Sequence, residues 1–375
     1  MAKNLFVLTE KDLIKLSVMM LLAAVFFGVS GLIIMIFLQW ITRQSYAVDA
    51  VDKHGISQIS ASRLGGAAVF VCSGGLLSAA TYSGITPPGI GPLGIQLFGW
   101  IGTISCAALG LAEDLHNNFL TARFRLLAKA TIFALLVAYW PFLIPLDLGV
   151  PGLDALLALP LVGWFLTVIF CVGFINAVNM ADGANGLMPG MLTIAFSLFY
   201  LETGGILYAT LMTSCGLFAI FNVISGRLFL GDAGAYGLGA AVVISALYLF
   251  GEGAFSASFL AVLFSYPCID LLVTLTRRLL SRRSIFLPDN DHLHNRIHFH
   301  FQGWFSSKTL ANSLTGASVV ACSSGVALAG YFGRWWPIES NEWLWVFVCQ
   351  VLVYGVAFAL TGIGRPISQH VVDAK

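Results

Sequence analysis

The sequence predicts an all-α fold, a polytopic transmembrane helical bundle of about eleven spans with its active site on the cytoplasmic face. Three observations carry that expectation. Hydrophobic residues make up 58% of the 375 positions and charged residues only 10%, with a mean hydropathy of +0.88. An ordinary soluble domain carries roughly 25% charged residues, so too few remain here to coat a water-facing surface. Apolar runs recur from end to end, and no spacer between them is long enough for a second domain, so residues 1–375 are expected to form one integral membrane unit. Lys plus Arg number 19 and Asp plus Glu 18, so the net charge of +1 offers no field for a nucleic-acid partner.

A helix crosses the hydrocarbon with about 20 apolar residues. The runs that qualify, within a few residues at each end, are 13–38, 64–82, 93–111, 126–144, 156–175, 187–201, 206–224, 236–250, 254–275, 310–332 and 343–360. Pro and Gly clusters such as Thr86-Pro87-Pro88-Gly89 and Val150-Pro151-Gly152 supply the turns between them. The first run is too long for the apolar core of a signal peptide and has no small-x-small site nearby, so it reads as an uncleaved span.

Placing the ninth connector, residues 276–309, in the cytoplasm puts fifteen of the nineteen basic residues inside, among them Arg43, Lys53, Arg63, Arg123, Arg125, Lys129, Arg227, Arg283, Arg365 and Lys375. Only Lys3, Lys11, Lys15 and Arg334 stay outside, which satisfies the positive-inside rule and leaves the carboxy terminus cytoplasmic. Trp40, Trp100, Trp140, Trp304, Trp335, Trp336 and Trp343 fall near span ends, where an indole prefers the headgroup region. The seven cysteines lie in or beside apolar runs without a CxxC pair and read as small core residues.

With sidedness drawn, polar groups that a passive bundle would not need gather on the cytoplasmic side in five places. Arg63-Leu64-Gly65-Gly66 joins paired glycines, which let a backbone approach a ligand, to an arginine that can clamp a phosphate; a plain loop-to-helix junction is the alternative. Glu113-Asp114 are adjacent carboxylates that repel unless a cation sits beside them, followed by Arg123, Arg125 and Lys129; an interfacial salt-bridge patch is the alternative. Asn176, Asn179 and Asp182 recur every three residues near one face of a helix end, before the Asp182-Gly183 and Asn185-Gly186 turns. That spacing suits a polar ligand, or else a turn that satisfies helix-end carbonyls. Asp232, after Gly231, can cap the eighth span, a job compatible with holding a metal. Asp270 is an acid within the ninth span, a functional-site hypothesis by default. It precedes the loop Asp289-Asn290-Asp291-His292-Leu293-His294-Asn295-Arg296, whose imidazoles and arginine suit anionic groups better than zinc. His298 and His300 alternate with Phe299 and Phe301 as an interfacial stretch without a catalytic role.

In this order along 63–296 the set resembles the polyprenyl-phosphate N-acetylhexosamine-1-phosphate transferase superfamily, in particular its enteric and teichoic-acid initiating branch. The resemblance implies transfer of a sugar-1-phosphate from a UDP-N-acetylhexosamine, UDP-GlcNAc foremost, to undecaprenyl phosphate. UMP is released, Mg2+ (or Mn2+) assists, and a cell-envelope glycan such as lipopolysaccharide is begun in the bacterial inner membrane. By family position Asp232 is the best Mg2+ ligand, with Asp114 and Asn179 beside it. Glu113, Asp114, Asp182 and Asp232 form the catalytic set. Substrate binding falls to Arg63, Gly65, Gly66, Arg125, Asn176, Asn179, Asn185, Asp270, His292, His294 and Arg296. Glu113 stands where the family usually has Asp, Asn185 where many members have Asp, and Asn295 where a third histidine is frequent. Lacking the three-histidine run of the phospho-MurNAc-pentapeptide translocase, the chain fits an N-acetylhexosamine donor better than the muramyl-pentapeptide one. A transporter is the reading from another class, but Asp270 is the single acid inside an expected span and no internal repeat is evident. Membrane lipid surrounds the bundle, and self-association into a homodimer stays open.

Overall fold

The computed structural model describes residues 10–44, 47, 61–85, 93–116, 119–282, 284 and 289–362, with the side chains of 11, 12 and 93–98 left aside. Lys3, Lys53, Arg283, the Thr86-to-Gly89 turn and the expected cytoplasmic terminus with Arg365 and Lys375 lie outside the described residues.

Among the described residues fifteen α-helices follow one another: α1 Glu10–Ile41, α2 Gly65–Tyr82, α3 Leu93–Leu115, α4 Ala122–Tyr139, α5 Pro151–Leu157, α6 Pro160–Ala181, α7 Leu187–Thr203, α8 Ile206–Ser225, α9 Gly231–Gly251, α10 Ala257–Leu263, α11 Ser265–Leu280, α12 Leu293–Trp304, α13 Lys308–Cys322, α14 Ser324–Phe332 and α15 Trp343–Gly362. Among the described residues β-type pairing is confined to a single parallel bridge between Ser62 and Leu228. The expectation of eleven full spans needs correction. Among the described residues six helices are long and apolar enough to cross a membrane, or eight if each of two bent pairs counts as one span. Helix α7 has 17 residues, and α4 opens with Arg123, Arg125 and Lys129 and stops at the Trp140-Pro141 turn, so both fall short of a full apolar crossing.

The expected ninth and tenth spans are the bent pairs. Helices α10 and α11 meet at 81° around Phe264, and α13 and α14 at 49° around Ser323. A break inside hydrocarbon frees backbone carbonyls that must find donors. Ser324 Oγ donates to the Leu263 carbonyl at 2.7 Å, and Gln350 Nε2 of α15 donates to the carbonyls of Cys322 and Ser323 at 3.2 and 3.1 Å. The two breaks are thus satisfied by neighbouring helices. Trp343, expected at the interface, is instead fully buried, with its ring edge-on to Phe259 and its indole N–H donating to the Pro337 carbonyl. Trp40, Trp304 and Trp335 are exposed.

Helix α9 is the hub. It packs against α2, α3 and α6, and most of its residues are buried. Its sequence, Gly-Asp-Ala-Gly-Ala-Tyr-Gly-Leu-Gly-Ala-Ala, is rich in small residues, which lets helix backbones approach where lipid gives no hydrophobic driving force between them. The tightest approach is at Gly66 of α2, where a Cβ would lie 2.1 Å from the Gly234 backbone. Gly65 and Gly66 also donate their amides to the Phe229 and Leu230 carbonyls at 3.0 and 2.7 Å. The close backbone approach expected of this glycine pair is therefore made to α9 and the strand-like segment before it. Gly66→Ala is expected to cost ~1–3 kcal/mol by overpacking, whereas Gly75→Ala on the same helix, surrounded by open space, is expected to be neutral or slightly stabilising. Thermal melting of the detergent-solubilised variants distinguishes the two.

Candidate active site

The amino terminus of α9 presents amide groups that no residue of its own helix can satisfy. Leu230 at the cap position has no side-chain oxygen to offer. Asp114, at the end of α3, supplies the cap from outside: its Oδ1 accepts the Asp232 amide at 3.0 Å and its Oδ2 the Ala233 amide at 2.8 Å. Asp232 lies inside the first turn, so the capping role expected for it belongs to Asp114, and the Asp232 carboxylate is released for other partners. Gly231 must be glycine here. Its φ is +71°, and a Cβ would lie 2.2 Å from the Arg63 carbonyl and 2.7 Å from the Asp114 carboxylate.

Asp232 gathers the next layer. Its Oδ1 accepts Asn179 Nδ2 at 2.8 Å, and its Oδ2 accepts Arg125 Nη1 at 2.9 Å, with the Tyr236 hydroxyl at 3.5 Å. Glu113 accepts the Leu120 amide at 2.9 Å and lies 3.8 Å from Arg125 Nη1. Arg125 Nε is buried without a hydrogen-bond partner. One helical turn further along α4, the buried Lys129 ammonium donates to Asn176 Oδ1 at 2.5 Å and sits 3.9 Å from the centre of the Tyr236 ring. Asp182 ends α6. Burial first, then the negative charges of Asp114 and Asp232, push its carboxyl up to about 7, against the opposing hydrogen bond from the Gly231 amide. Three acids from three helices therefore share one electrostatic basin, with Arg125 and Lys129 beside it.

A second group adjoins the first. His292 Nδ1 donates to Asp270 Oδ2 at 2.6 Å; burial disfavours the charged imidazole, but the Asp270 carboxylate outweighs it and holds His292 above its ordinary value. The Tyr266 hydroxyl takes the His294 amide at 3.2 Å and lies 2.7 Å from His294 Nδ1. A hydroxyl has one proton to give, so Nδ1 is the acceptor and Nε2 carries the ring proton. Burial depresses His294 to about 3 and keeps it neutral. Its Nε2 abuts Gly183, where a Cβ would lie 2.1 Å away, which sets the histidine pair directly against the Asp182 turn.

Residues 97–250, from α3 through α9, match the family model described as glycosyl transferase family 4. The chain is 26% identical over 292 residues (74% of this chain, 78% of the other) to a probable undecaprenyl-phosphate N-acetylglucosaminyl 1-phosphate transferase of Bacillus subtilis (strain 168). It is also 27% identical over 238 residues (58% of this chain, 70% of the other) to a phospho-N-acetylmuramoyl-pentapeptide-transferase of Levilactobacillus brevis. These matches support the resemblance to the polyprenyl-phosphate N-acetylhexosamine-1-phosphate transferase superfamily. The matched segment carries Glu113, Asp114, Asp182 and Asp232, whereas Asp270 and the histidine loop lie beyond it.

Other expected site residues lie one step further out. The Asn185 amide donates to Asn312 Oδ1 at 3.1 Å and its Nδ2 contacts Ser313 Oγ at 3.5 Å, so it ties the turn to α13. Arg296 forks onto Asp291 through Nε and Nη2 at 2.8 and 2.9 Å, donates Nη1 to the Phe358 carbonyl at 2.7 Å and lies over the Phe358 ring, fastening the loop to α15. Arg63 is buried, and its charge acts on Asp114. The cytoplasmic loop expected over 276–309 contains α12, and His298, read there as interfacial, is buried. Tyr236, Tyr266 and Tyr354 were not singled out by the sequence, and Lys129 was read only as one of several loop cations. Lys129 and Tyr236 had a usable signal, since each follows a charged site residue by four positions on one helix face.

Among the described residues no group of three or more His, Cys, Asp or Glu side chains is arranged to hold a metal ion. The donor chemistry nevertheless suits a hard cation. Asp114, Asp182, Asp232 and Asn179 are oxygen ligands, and the crowding that lifts Asp182 is what a divalent charge relieves. The Asp182 shift also has a sign that can be checked. Its unfolded value is about 3.9, so between about pH 4 and pH 7 the folded protein holds a proton that the unfolded chain has lost. Stability from this group is present below about pH 4 and fades as pH rises towards 7. In metal-free buffer the melting temperature of Asp182→Asn is expected to fall less steeply over that window than that of the parent protein.

Proposed function

We propose that this enzyme transfers N-acetylhexosamine-1-phosphate from a UDP-sugar, UDP-GlcNAc foremost, to undecaprenyl phosphate. The reaction would run at the cytoplasmic face of the bacterial inner membrane, release UMP and start a cell-envelope glycan. The observation that carries the reading is the meeting of Asp114, Asp182 and Asp232 with Arg125 and Lys129 at the amino terminus of α9. The relative that aligns over 74% of this chain is named for an N-acetylglucosaminyl transfer, which favours that donor over the muramyl pentapeptide.

The acceptor is a phosphate monoester, whose second ionisation falls near pH 6 in the analogous phosphoserine, so at neutral pH it is mostly a dianion and needs no base to become a nucleophile. Its oxygen attacks the sugar-bearing phosphorus of the donor, a new P–O bond forms, and the bond to the UMP oxygen breaks. The obstacle is to bring two anions together in line, a matter of alignment and charge. Arg125 and Lys129 offset the incoming negative charge, while Asn176 and Asn179 hold Lys129 and Asp232 in place. The α9 amino terminus adds its partial positive charge. His294, with Nδ1 accepting from Tyr266, leaves an Nε2–H suited to a donor phosphate, and His292, with Nδ1 donating to Asp270, offers an Nε2–H in the charged form that Asp270 favours. Mg2+ held by Asp232 with Asp114 or Asp182 and Asn179 would supply charge neutralisation across both phosphates; such ions commonly take one or two carboxylates and complete their shell with substrate oxygens and water. The apolar tail would lie along the lipid-facing helix surfaces.

Purified full-length protein in nanodiscs, given undecaprenyl phosphate and Mg2+, is expected to release UMP with UDP-GlcNAc and to yield a lipid diphosphate-sugar of matching mass. Asp232→Asn is expected to slow turnover by about 10²-fold or more, as loss of a charge-stabilising group does, and EDTA to suppress it. No UMP from any of UDP-GlcNAc, UDP-GalNAc or their deoxy analogues would remove the proposal.

A further inference from the structure

The histidine loop is braced by a helix that the superfamily match does not reach. Tyr354 lies on α15, and its hydroxyl donates to Asp270 Oδ1 at 2.7 Å, in a buried position. The same oxygen accepts the Leu293 amide at 3.1 Å. The second oxygen of Asp270 receives His292 Nδ1 at 2.6 Å. Both oxygens of this carboxylate are thus held by fixed donors. The imidazoles of His292 and His294 stack with their planes 3° apart and centroids 5.5 Å apart.

We infer that Tyr354 is a positioning residue for sugar-phosphate transfer, acting through Asp270 to set the ring plane and the protonated nitrogen of His292. A carboxylate held on one side only can rotate about its χ2, a soft torsion, and would carry the imidazole with it. With Tyr354 and the Leu293 amide holding Oδ1, Oδ2 faces His292 Nδ1 in one orientation, and Nε2 is the nitrogen left to face substrate, a donor to a phosphate oxygen when the ring is charged. This is the logic by which carboxylates orient ligating histidines in metal sites, where loss of the outer partner commonly costs 10- to 100-fold. Tyr354 itself needs no contact with substrate. Its ring stacks on Phe358, 5.9 Å between centroids, and Phe358 in turn lies under Arg296, so α15 holds the loop at two points. The charged and titratable groups that face His292 are Asp270 and Arg277 from α11, Asp289 from the preceding loop and the stacked His294. Asp270 alone among them touches Nδ1.

The inference rests on the transferase reading for its kinetic arm and is independent of it for its spectroscopic arm. Tyr354→Phe keeps the ring and its stacking and removes only the donated hydrogen bond. It is expected to lower kcat about three- to tenfold, the scale of one hydrogen bond, with KM for undecaprenyl phosphate unchanged. In an Asp270→Asn background, or in His292→Gln should the first variant not fold, Tyr354→Phe is expected to have no further effect. In full-length protein carrying 15N-histidine, the His292 Nδ1 resonance is expected to report a protonated nitrogen in the parent and a mixed tautomer in Asp270→Asn, with Tyr354→Phe between them. Equal losses from Tyr354→Phe in all backgrounds, or a His292 Nδ1 signal unmoved by both substitutions, would overturn the inference. If the parent protein transfers no sugar phosphate at all, the proposed function fails, and the resonance alone decides whether Tyr354 governs His292.

Discussion

The pair of hydrogen bonds from the first amides of α9 to Asp114 is the interaction on which the rest of the site depends. It joins α3 to the buried hub, satisfies amides that would be costly to leave unpaired in a membrane, and fixes the orientation of the Asp114 carboxylate. Because the cap arrives from another helix, Asp232 is free to face Asn179 and Arg125 from within the first turn. Because the chain enters α9 through a left-handed glycine, the Arg63 carbonyl and the Asp114 carboxylate can both close on the turn. Had Asp232 capped its own helix, its carboxylate would have folded back onto the amides, and the basin would have lost the acid nearest Arg125.

That arrangement explains which parts were readable from the amino-acid sequence. Membrane embedding followed from composition, because apolarity at this level has no soluble solution. Glu113, Asp114, Asp182 and Asp232 were legible because each stands beside a glycine or a second acid near the end of an apolar run, and Asp270 because it stands inside one, where a polar group must have a reason. Their order along the chain carried the family. The number of crossings was not legible, since a run that bends by 81° at Phe264 has the same average hydropathy as a straight one. The compensation for that bend, Ser324 and Gln350 from other helices, is a tertiary fact without a local signature.

The polar residues divide in the same way. Gly65, Gly66, Asn185 and Arg296 were grouped with ligand-binding residues because their types suit phosphate, yet glycine, asparagine and arginine serve equally to pack helices and pin loops. Sequence spacing cannot separate an asparagine that faces a ligand from one that faces Asn312. Lys129 is the converse case: counted as an ordinary cytoplasmic cation, it is almost fully buried, between an asparagine oxygen and the face of Tyr236. A buried ammonium with one carbonyl partner and an aromatic face is stabilised by the nearby acids, and a bare surface salt bridge would need no such enclosure.

The two imidazoles show how the site can place donors together without adding a like-charge pair. Stacked cations 5.5 Å apart in a weakly screened pocket would repel each other strongly. One is neighboured by a carboxylate, which favours its charged form, while the other is neighboured by a neutral hydroxyl and fully enclosed, which favours its neutral form. The charged form of the first carries a proton on Nε2 as well as on Nδ1, and the second carries one on Nε2 because its Nδ1 accepts from Tyr266. With His292 charged, the loop would hold two N–H donors at the electrostatic cost of a single positive charge, balanced by Asp270.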